Sequence, residues 1–275
     1  MTEKTYLNES FFKESILPKH LNVSTISLSF QMDTIVDIEN VAKYIDISDT
    51  GICSIDYKGE VRPENYKKKP KKNRKENNFY NSITMEIMTC SGKTINFKIF
   101  NNGGVQAAGC KGMLDGNFAI NILVNELSRE FAIFDEKEEK MREIKFITEP
   151  IKISDLKINL INVNFKLLFN INREKLHKIL LNLNIPCFYE KCKHAGVKIE
   201  FTPSEKKSPV SIFIFESGSI VITGSKNEVH ILESYNFLTN LIKTNKIEIR
   251  KPTYNELLYS ALHSKFGHLM ETSLK

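Results

Sequence analysis

The sequence predicts an α/β fold made of two similar halves, each with an antiparallel sheet and with helices on one side of it. Two observations support this expectation: the chain repeats itself, and apolar residues alternate with polar ones in the strands of both copies. Residues 103–111 (GGVQAAGCK) match residues 218–226 (GSIVITGSK) in both glycines and the final lysine, at an offset of 115. Residues 97–100 match residues 212–215 at the same offset. The segment 97–111 of the first copy is therefore as long as the segment 212–226 of the second.

The first strands of the two copies are further apart. Residues 158–167 resemble residues 21–30 at an offset of 137, which exceeds 115 by 22, so the first copy is longer in its middle. The extra length coincides with residues 67–75 (KKKPKKNRK), which hold seven bases and no acid. Since such a run repels itself and cannot be buried, we interpret it as an exposed insertion between strands of the first copy.

This basic run accounts for the charge of the protein. The whole chain carries a net charge of +6, so the seven bases in 67–75 leave a charge of −1 on everything else. The run has three possible interpretations: a solubilising insertion, an arm that binds DNA phosphates, or a nuclear-import signal.

Length and composition restrict the class of protein. The 275 residues are 41% hydrophobic, which supports a core and excludes general disorder. The five cysteines are an odd number in a chain that needs no disulfide framework, so we expect a reducing compartment. No apolar run reaches the roughly 18 residues of a membrane span, and residues 1–20 are too polar for a signal peptide. We therefore expect no membrane partner.

Each copy is expected to contain a short helix after its first strand and a longer helix at its end. The short helices are predicted near Ile38–Ile45 and Arg173–Leu183. The long helix of the second copy would follow a capping box formed by Ser225 and Glu228, and Asp115 would cap the long helix of the first.

The expected organisation has five parts. They are an N-terminal segment (1–19), a first repeat (20–131) with a basic insertion (59–77), a charged linker (132–154), a second repeat (155–245) and a C-terminal helical tail (246–275). The charge-rich stretch Phe134–Glu143 of the linker is interpreted as a solvated helix or loop. The tail helix begins at a capping box at Thr253, and it either packs on the body or docks on a partner.

Strand alternation separates two faces of the predicted sheet. In the second copy, the side chains expected beneath the helices are Ile212, Ile214, Ile220 and Ile222. Those expected on the opposite face are Phe213, Phe215, Val221 and Thr223, with Ile158 and Leu160 from the first strand. By the two offsets, their counterparts are Leu21, Val23, Lys98, Phe100, Gln106 and Ala108. Exposed apolar side chains usually mark a binding surface, unless another layer such as the C-terminal tail covers them.

Residues 212–226 (IFIFESGSIVITGSK) resemble the diagnostic stretch of the TATA-box-binding protein family. That stretch is an aliphatic run ending in Phe, then Ser-Gly-Lys, then aliphatic residues and Thr-Gly-Ala-Lys. Residues 22–26 (NVSTI) resemble the opening strand of the family. The resemblance covers about residues 20–131 and 155–245, more closely in the second copy. Together with the basic insertion, residues 79–82 (FYNS) look like the divergent branch encoded by large DNA viruses.

The resemblance implies two pseudo-symmetric repeats that form a saddle, with a curved antiparallel sheet on the concave side and helices on the convex side. It implies that the protein binds AT-rich double-stranded DNA in the minor groove and bends it, with apolar side chains wedged between base steps. Such a protein is a general transcription initiation factor that recruits a factor IIB-like protein and RNA polymerase. It would act in a nucleus or in a cytoplasmic viral replication compartment.

Carried over by position, the resemblance assigns a role to individual residues. The wedge residues are Phe100 with Tyr80 (or Phe79, if the alignment shifts by one) in the first copy, and Phe213 and Phe215 with His194 in the second. The groove-lining residues are Val23, Leu160, Gln106, Val221 and Thr223. The residues near phosphates are Lys111 and Lys226, joined by Lys67, Lys68, Lys69, Lys71, Lys72, Arg74 and Lys75 if the basic run is a DNA arm.

Several positions depart from the pattern of the family. Tyr80 and His194 stand where the family has Phe. Glu86 and Glu200 stand where it has arginines that touch phosphate, and a carboxylate repels a phosphate. The groove asparagine of each copy is displaced by one residue, to Asn22 and Asn159, and alternation then places both on the other face. DNA binding is therefore expected to be weak or to need partners, with the second copy as the stronger half.

Other signals in the sequence are weaker. Cys187, Cys192 and His194 could ligate a metal, but no second pair completes a four-ligand site. Residues 104–109 begin like a phosphate-binding loop, but Cys110 stands where Lys is required. The histidines make no catalytic pattern with a Ser or Cys nucleophile. We therefore expect no enzyme activity, no cofactor and no small-molecule substrate.

A second class of function fits the same residues. A saddle-fold protein that lacks autonomous DNA binding would serve as a protein-interaction subunit of a transcription complex. The two hypotheses differ in a measurable way, because only the first predicts that the protein bends a DNA duplex.

Overall fold

The computed structural model describes residues 4–47, 50–64, 81–135, 139–252, 254–258 and 260. These residues divide into two compact units. The first unit contains the described residues up to 163 together with 225–228, and the second contains 164–224 and the described residues from 229 onward.

The first unit is built on an antiparallel sheet. Its elements, after a short 3-10 turn at Glu14–Ile16, are β1 (Asn22–Gln31), α1 (Ile38–Tyr44), β2 (Ile52–Tyr57), β3 (Glu60–Arg62), β4 (Ser82–Met88), β5 (Thr94–Phe100), β6 (Gly104–Cys110), α2 (Met113–Leu127), β7 (Glu130–Asp135), β8 (Lys140–Lys145) and the start of β9 (Ser154–Lys166). The strands are ordered β1–β6–β5–β4–β2–β3, with β9 beside β1 and with β7 and β8 forming a separate pair.

The second unit has the same plan. Its elements are the end of β9, α3 (Arg173–Asn182), β10 (Cys187–Phe188), β11 (Gly196–Phe201), β12 (Val210–Phe215), β13 (Ser219–Ser225) and α4 (Glu228–Ile249). The strands are antiparallel in the order β10–β11–β12–β13. None of the described helices is long and apolar enough to cross a membrane.

The strand pairing repeats between the units at the offset that the sequence shows. In the first unit, Asn96, Phe97, Lys98 and Ile99 pair with Ala108, Ala107, Gln106 and Val105. In the second, Ser211, Ile212, Phe213 and Ile214 pair with Thr223, Ile222, Val221 and Ile220. Every residue of the first set lies 115 positions before its counterpart. The repeat in the sequence is therefore a repeat of backbone register, which confirms the predicted fold class.

Alternate strand residues form the core of each unit. In the second unit the four isoleucines at 212, 214, 220 and 222 are fully buried, as the alternation predicts. Helix α4 packs against this unit through aromatic pairs: Tyr235 lies edge-on to Phe165 of β9, and Phe237 stacks on Phe201 of β11. In the first unit α2 contacts β4 and β6 and buries Ile120. One face of each sheet is thus covered by helices.

The linker differs from the expectation of a solvated helix or loop. Of its described charged residues, Asp135, Lys140, Arg142, Glu143 and Lys145 lie in the antiparallel pair β7–β8. Phe131 pairs with the buried Ile144, and its ring packs 5.3 Å from that of Phe146. Apolar residues at alternate positions therefore attach the hairpin to the unit, whereas the charges between them stay exposed. The helix and loop interpretations overlooked this alternation because the acidic and basic residues outnumber the apolar ones.

The two predicted helix caps are also wrong. Helix α4 begins at Glu228, and Ser225 is the last residue of β13 and fully buried. Helix α2 begins at Met113, and Asp115 in its first turn accepts a hydrogen bond of 3.1 Å from Ser91 Oγ. Asp115 thus ties the turn between β4 and β5 to α2. The short helices α1 and α3 lie where they were predicted, whereas α4 extends beyond 245 and Thr253 is outside the described residues.

Two turn glycines are required by both backbone conformation and close packing. Gly103 and Gly218 lie 115 residues apart, with φ angles of +80° and +78°. A Cβ on Gly218 would lie 2.5 Å from the carbonyl oxygen of Phe169, and a Cβ on Gly103 would overlap that of Thr34. By contrast, Gly92 has a φ of +73° with no atom within 4 Å of its Cβ position.

Gly103→Ala and Gly218→Ala are therefore expected to lower the free energy of unfolding by about 3 kcal/mol each, because they add a backbone clash to conformational strain. Gly92→Ala, the matched control, carries the strain alone and should cost about 1 kcal/mol. Urea unfolding of the three variants measures the difference. Equal losses at all three positions would show that the close contacts at 103 and 218 do not matter.

Candidate nucleic-acid interface

The face of each sheet opposite the buried aliphatic side chains is called the open face. In the second unit a row of paired residues crosses it from β10 to β13. Phe188 pairs with Lys198, Lys198 pairs with Phe213, and Phe213 pairs with Val221. Directly opposed residues of an antiparallel pair point to the same face, so these four side chains lie side by side. This second-unit row contains two phenylalanines and a valine on a surface that no described helix covers.

Phe215 extends the apolar surface along β12. It pairs with Gly196, and a Cβ on that glycine would lie 3.1 Å from Cδ1 of the Phe215 ring. The ring therefore lies against the backbone of β11, where a larger residue would displace it. Thr223 is on the same face, opposite Ser211. The structure thus places Phe213, Phe215, Val221 and Thr223 together, all half-buried, as the alternation predicts.

His194 contacts a different aromatic residue from the one expected. Its ring lies edge-on to that of Phe188, with centroids 5.0 Å apart. Phe188 is 43% exposed and belongs to the second-unit row, so His194 joins the aromatic surface through Phe188. Sequence reasoning missed Phe188. The available signal was the apolar pair Cys187-Phe188 before a turn, which is typical of a short edge strand.

The carboxylate of Glu200 is compensated on the open face itself. Lys198 Nζ lies 2.6 Å from Glu200 Oε1, and the two residues share one side of β11. The expected repulsion between Glu200 and a phosphate is therefore reduced by a neighbouring cation. The counterpart Glu86 lies on β4 opposite Asn96, on the open face of the first unit.

Glu216 holds the end of β12 in place. Its carboxylate accepts hydrogen bonds from Arg173 of α3, at 2.7 Å, and from Lys251, which follows α4. Lys251, and with it Arg173, lowers the pKa of Glu216 below its usual range. Since Glu216 follows Phe215 directly, these ion pairs attach the residue next to the aromatic surface to both helices of the unit.

The open face of the first unit is polar at the equivalent positions. Thr84 pairs with Lys98, Lys98 with Gln106, and Gln106 with Ser29. This first-unit row occupies the place of the second-unit row, with Lys98 for Phe213 and Gln106 for Val221. The side chain of Gln106 is exposed. Hydrogen-bonding groups therefore replace the apolar centre of the surface.

Asn159 belongs to this polar face, contrary to the expectation. Ser29 Oγ donates a hydrogen bond of 3.2 Å to Asn159 Oδ1, and Ser29 is paired with Gln106. The alternation on which the expectation depended does not hold in β9, where Asn159 is exposed and Ile161, two residues later, is buried. Leu160 lies at this change of phase and is half-buried.

Val23 contributes almost nothing to the open face. Only 7% of its surface is exposed. Ser24 and Thr25 are both half-buried, so strict alternation fails between Val23 and the buried Ile26. The pairing of β1 with β6 is irregular at the same place. Ile26 pairs with Cys110 and Ser27 pairs with Ala108, so the register shifts at Gly109. The offset from Leu160 therefore assigned to the open face a residue that the structure buries.

Phe100 is half-buried at the end of β5, where it lines a cavity of about 400 Å³ with Ser29, Gln31 and Gln106. Lys98 Nζ lies 5.7 Å from the centre of the Phe100 ring. Phe30 and Val105 also line the cavity, which therefore combines apolar residues with several hydrogen-bonding groups. Tyr80, the expected wedge partner of Phe100, is outside the described residues.

Two lysines meet at the start of α2. Lys111 is exposed, and its ammonium group lowers the pKa of Lys93 in the turn after β4. Two cations this close repel each other, and an anion between them would relieve the repulsion. Lys226 is exposed after β13, and the seven bases of 67–75 lie outside the described residues. Lys93 was not singled out by sequence reasoning, although it follows a Ser-Gly turn.

The metal-binding interpretation gains no support. Within the described part of the chain, no group of three or more His, Cys, Asp or Glu side chains is placed to hold a metal ion. His194 packs on Phe188, and both Cys187 and Cys192 are free thiols.

An antiparallel sheet with helices on one face and exposed aromatic residues on the other defines a class of binding protein, and comparisons identify its family. The profile of the family described as Transcription factor TFIID (or TATA-binding protein, TBP) matches residues 155–245. A TATA-box-binding protein-like protein of Acanthamoeba polyphaga mimivirus is 31% identical over 261 residues, which cover 87% of this chain and 69% of that protein. The solved structure of Methanococcus jannaschii TBP matches with a TM-score of 0.52 and 20% identity, over 82% of this chain and 99% of that one.

The chain belongs to the TATA-box-binding protein family of transcription factors. The archaeal structure independently shows the fold. The family resemblance and the fold class inferred from the sequence are both confirmed.

Glu216→Gln tests whether the ion pairs beside Phe215 stabilise the protein. The pKa of Glu216 is lower in the folded protein than the value of about 4.3 expected for the unfolded chain. Its ion pairs therefore stabilise the fold fully above that value, and the stabilisation is lost as the pH falls through the lowered pKa. Because the side chain is 43% exposed, we expect the variant to be less stable by at most about 1 kcal/mol at pH 7. Urea unfolding should show that this difference disappears toward about pH 3. A difference that persists unchanged in acid would contradict the electrostatic role.

Proposed function

We propose that the protein is a transcription initiation factor that binds and bends AT-rich promoter DNA through the minor groove, using the open faces of its sheets. The observation that supports this proposal most directly is the aromatic and aliphatic surface of the second unit. Phe213, Phe215, Val221 and Thr223 lie together on the face opposite the helices. Apolar side chains that enter the minor groove separate base steps and kink the duplex, and A·T steps accept such deformation at low cost.

Each wedge needs an aromatic residue near the end of a strand. In the second unit Phe215 fills this role, with Phe213 beside it and with His194 packed on Phe188 at the edge of the sheet. In the first unit Phe100 is the equivalent residue, and Tyr80 would complete the pair. Since the first unit offers a more polar surface, we expect the stronger kink where the second unit binds.

Phosphate contacts would come from lysines around the open faces. A bound phosphate would relieve the repulsion between Lys93 and Lys111, and Lys226 is the counterpart of Lys111 in the second copy of the repeat. The bases of 67–75 would add a sequence-independent electrostatic contribution. These contacts position the duplex but do not select its sequence.

Recruitment of other factors would use surfaces away from the DNA. As a member of this family, the protein would bring a factor IIB-like protein and RNA polymerase to the promoter through its turns and helices. It would do so in a nucleus or in a cytoplasmic viral replication compartment, the second being favoured by its similarity to the mimivirus protein.

A second candidate function is a protein-interaction subunit that does not bind DNA alone. The observation in its favour is the first unit, where Lys98 and Gln106 replace apolar residues and Glu86 adds a carboxylate. In this case the open faces would contact protein within a transcription complex.

Combined substitution of Phe213→Ala and Phe215→Ala should abolish bending of an AT-rich duplex, because it removes the wedge and its apolar neighbour. Bending is measured by energy transfer between dyes at the two ends of the duplex. Phe134→Ala is the matched control, because Phe134 is 59% exposed and belongs to the β7–β8 pair, which is separate from the large sheet. Circular dichroism checks that all variants stay folded.

Two results would decide against the DNA proposal. Wild-type protein that produces no bend at low salt, alone or with its factor IIB-like partner, would favour the protein-interaction subunit. Equal bending by wild-type protein and the double variant would show that the aromatic residues are not the wedge.

Replacing residues 67–75 with a Gly-Ser run of equal length tests the basic run. If these bases neutralise phosphates, the slope of log K against log salt concentration should become less steep by about 0.9 for each phosphate that the variant leaves without a cation. The control variant keeps the seven bases and replaces the flanking residues 65–66 and 76–77 with Gly-Ser. It should keep the wild-type slope, because the charge of the basic run is unchanged. An unchanged slope would show that the run is not a DNA arm.

A further inference from the structure

The two open faces differ most at one pair of equivalent positions. Val221 ends the second-unit row on β13, and Gln106 takes the equivalent position on β6 in the first-unit row. The residues paired with them differ in the same way, since Phe213 stands next to Val221 and Lys98 next to Gln106. One unit therefore presents an apolar centre and the other a hydrogen-bonding centre at the same point of the same fold.

This difference corresponds to the chemistry of the minor groove. A·T and T·A pairs present only acceptors there, A N3 and T O2, whereas a G·C pair adds the N2 amino group of guanine as a donor. A surface without an acceptor leaves that donor buried and unsatisfied, which costs binding free energy. The side chains of Val221 and Phe213 have no acceptor, and Thr223, the next open-face residue of β13, places its hydroxyl two residues away. A base pair that faces Val221 and Phe213 should therefore be bound poorly when it is G·C.

Gln106 can satisfy either kind of base pair. Its amide oxygen accepts a hydrogen bond and its amide nitrogen donates two, and the exposed side chain can turn to present the group required. Ser29 on one side of it and Asn159 beyond add further groups that can donate or accept. The first unit therefore has what is needed to bond to guanine N2 as well as to A N3 or T O2.

We propose that Gln106 and Val221 give the protein an asymmetric binding site, in which one half of the DNA element must be A·T and the other half accepts G·C. This inference depends on the proposed DNA-binding function and goes beyond it by naming the residues that set base preference. It follows that the protein requires A·T pairs in only one half of the element.

Three sets of duplexes test this proposal without knowledge of the orientation in which the protein binds. The first has an all-A·T element, the second has one G·C pair in either half, and the third has one G·C pair in each half. The G·C pair is moved through each position of the half in turn. Dissociation constants are measured by fluorescence anisotropy for the full chain.

For the wild-type protein, the duplexes with G·C in one half should bind within about threefold of the all-A·T duplex, because the protein can place that half under the first unit. The duplexes with G·C in both halves should bind about tenfold more weakly or worse.

Two reciprocal substitutions assign the effect to residues. Val221→Gln should restore binding to duplexes with G·C in both halves, because both units then offer an amide. Gln106→Val should extend the tenfold loss to duplexes with G·C in one half, because neither unit then has a central amide. Phe134→Ala, in the separate β7–β8 pair, is the control and should behave as the wild type.

The outcomes separate this inference from the proposed function. A tenfold loss from G·C in one half of the element in the wild type, or equal binding to all three sets, would overturn the asymmetry alone. If Val221→Gln and Gln106→Val bind the three sets of duplexes with the same relative affinities as the wild type, the assignment to Gln106 and Val221 would be overturned. Failure to bind any duplex, with or without the factor IIB-like partner, would overturn the proposed function and this inference together.

Discussion

Side chains alternate between the two faces of a β-strand, and this constraint determines what the surface of each unit can contain. One face is filled by isoleucines and other apolar residues beneath the helices, with Ile212, Ile214, Ile220 and Ile222 fully buried. Their neighbours along the strands must then lie on the open face, where burial does not select them. Phenylalanines at two such positions, 213 and 215, stay half-buried on a face that needs no apolar residue, which supports the proposal that this surface binds a partner.

The distribution of charge supports binding by shape more than by general electrostatic attraction. The net charge of +6 resides in the seven bases of 67–75, and the remaining chain has a charge of −1. On the open face of the second unit, Lys198 and Glu200 form an ion pair at 2.6 Å, so this face has little net charge of its own. A minor-groove binder with such a face would depend on apolar contact and on the deformability of A·T steps, with lysines at the edges positioning the phosphates.

Sequence reasoning predicted the features that depend on local periodicity. The offset of 115 became identical strand register in the two units, and the co-facial group Phe213, Phe215, Val221 and Thr223 followed from alternation alone. The failures have three physical causes: irregular strands, contacts between residues distant in the sequence, and charged residues that mask a short apolar pattern. Irregularities in β1 and β9 interrupt the alternation of buried and exposed residues at Val23 and Asn159. Contacts between distant residues, such as that of His194 with Phe188, leave no periodic signal in the sequence. The hairpin β7–β8 was missed because its charges obscured a short apolar alternation.

The central claim is that Phe215 and its neighbours open a base step of the bound duplex. It is tested most directly by 2-aminopurine placed in turn at each adenine of an AT-rich element, because the fluorescence of this base rises when it is unstacked. Wedging predicts a large increase at one step under saturating wild-type protein and no increase with the Phe213→Ala, Phe215→Ala protein bound to the same duplex. Saturation of the duplex by the wild-type protein with unchanged fluorescence at every position would contradict the claim.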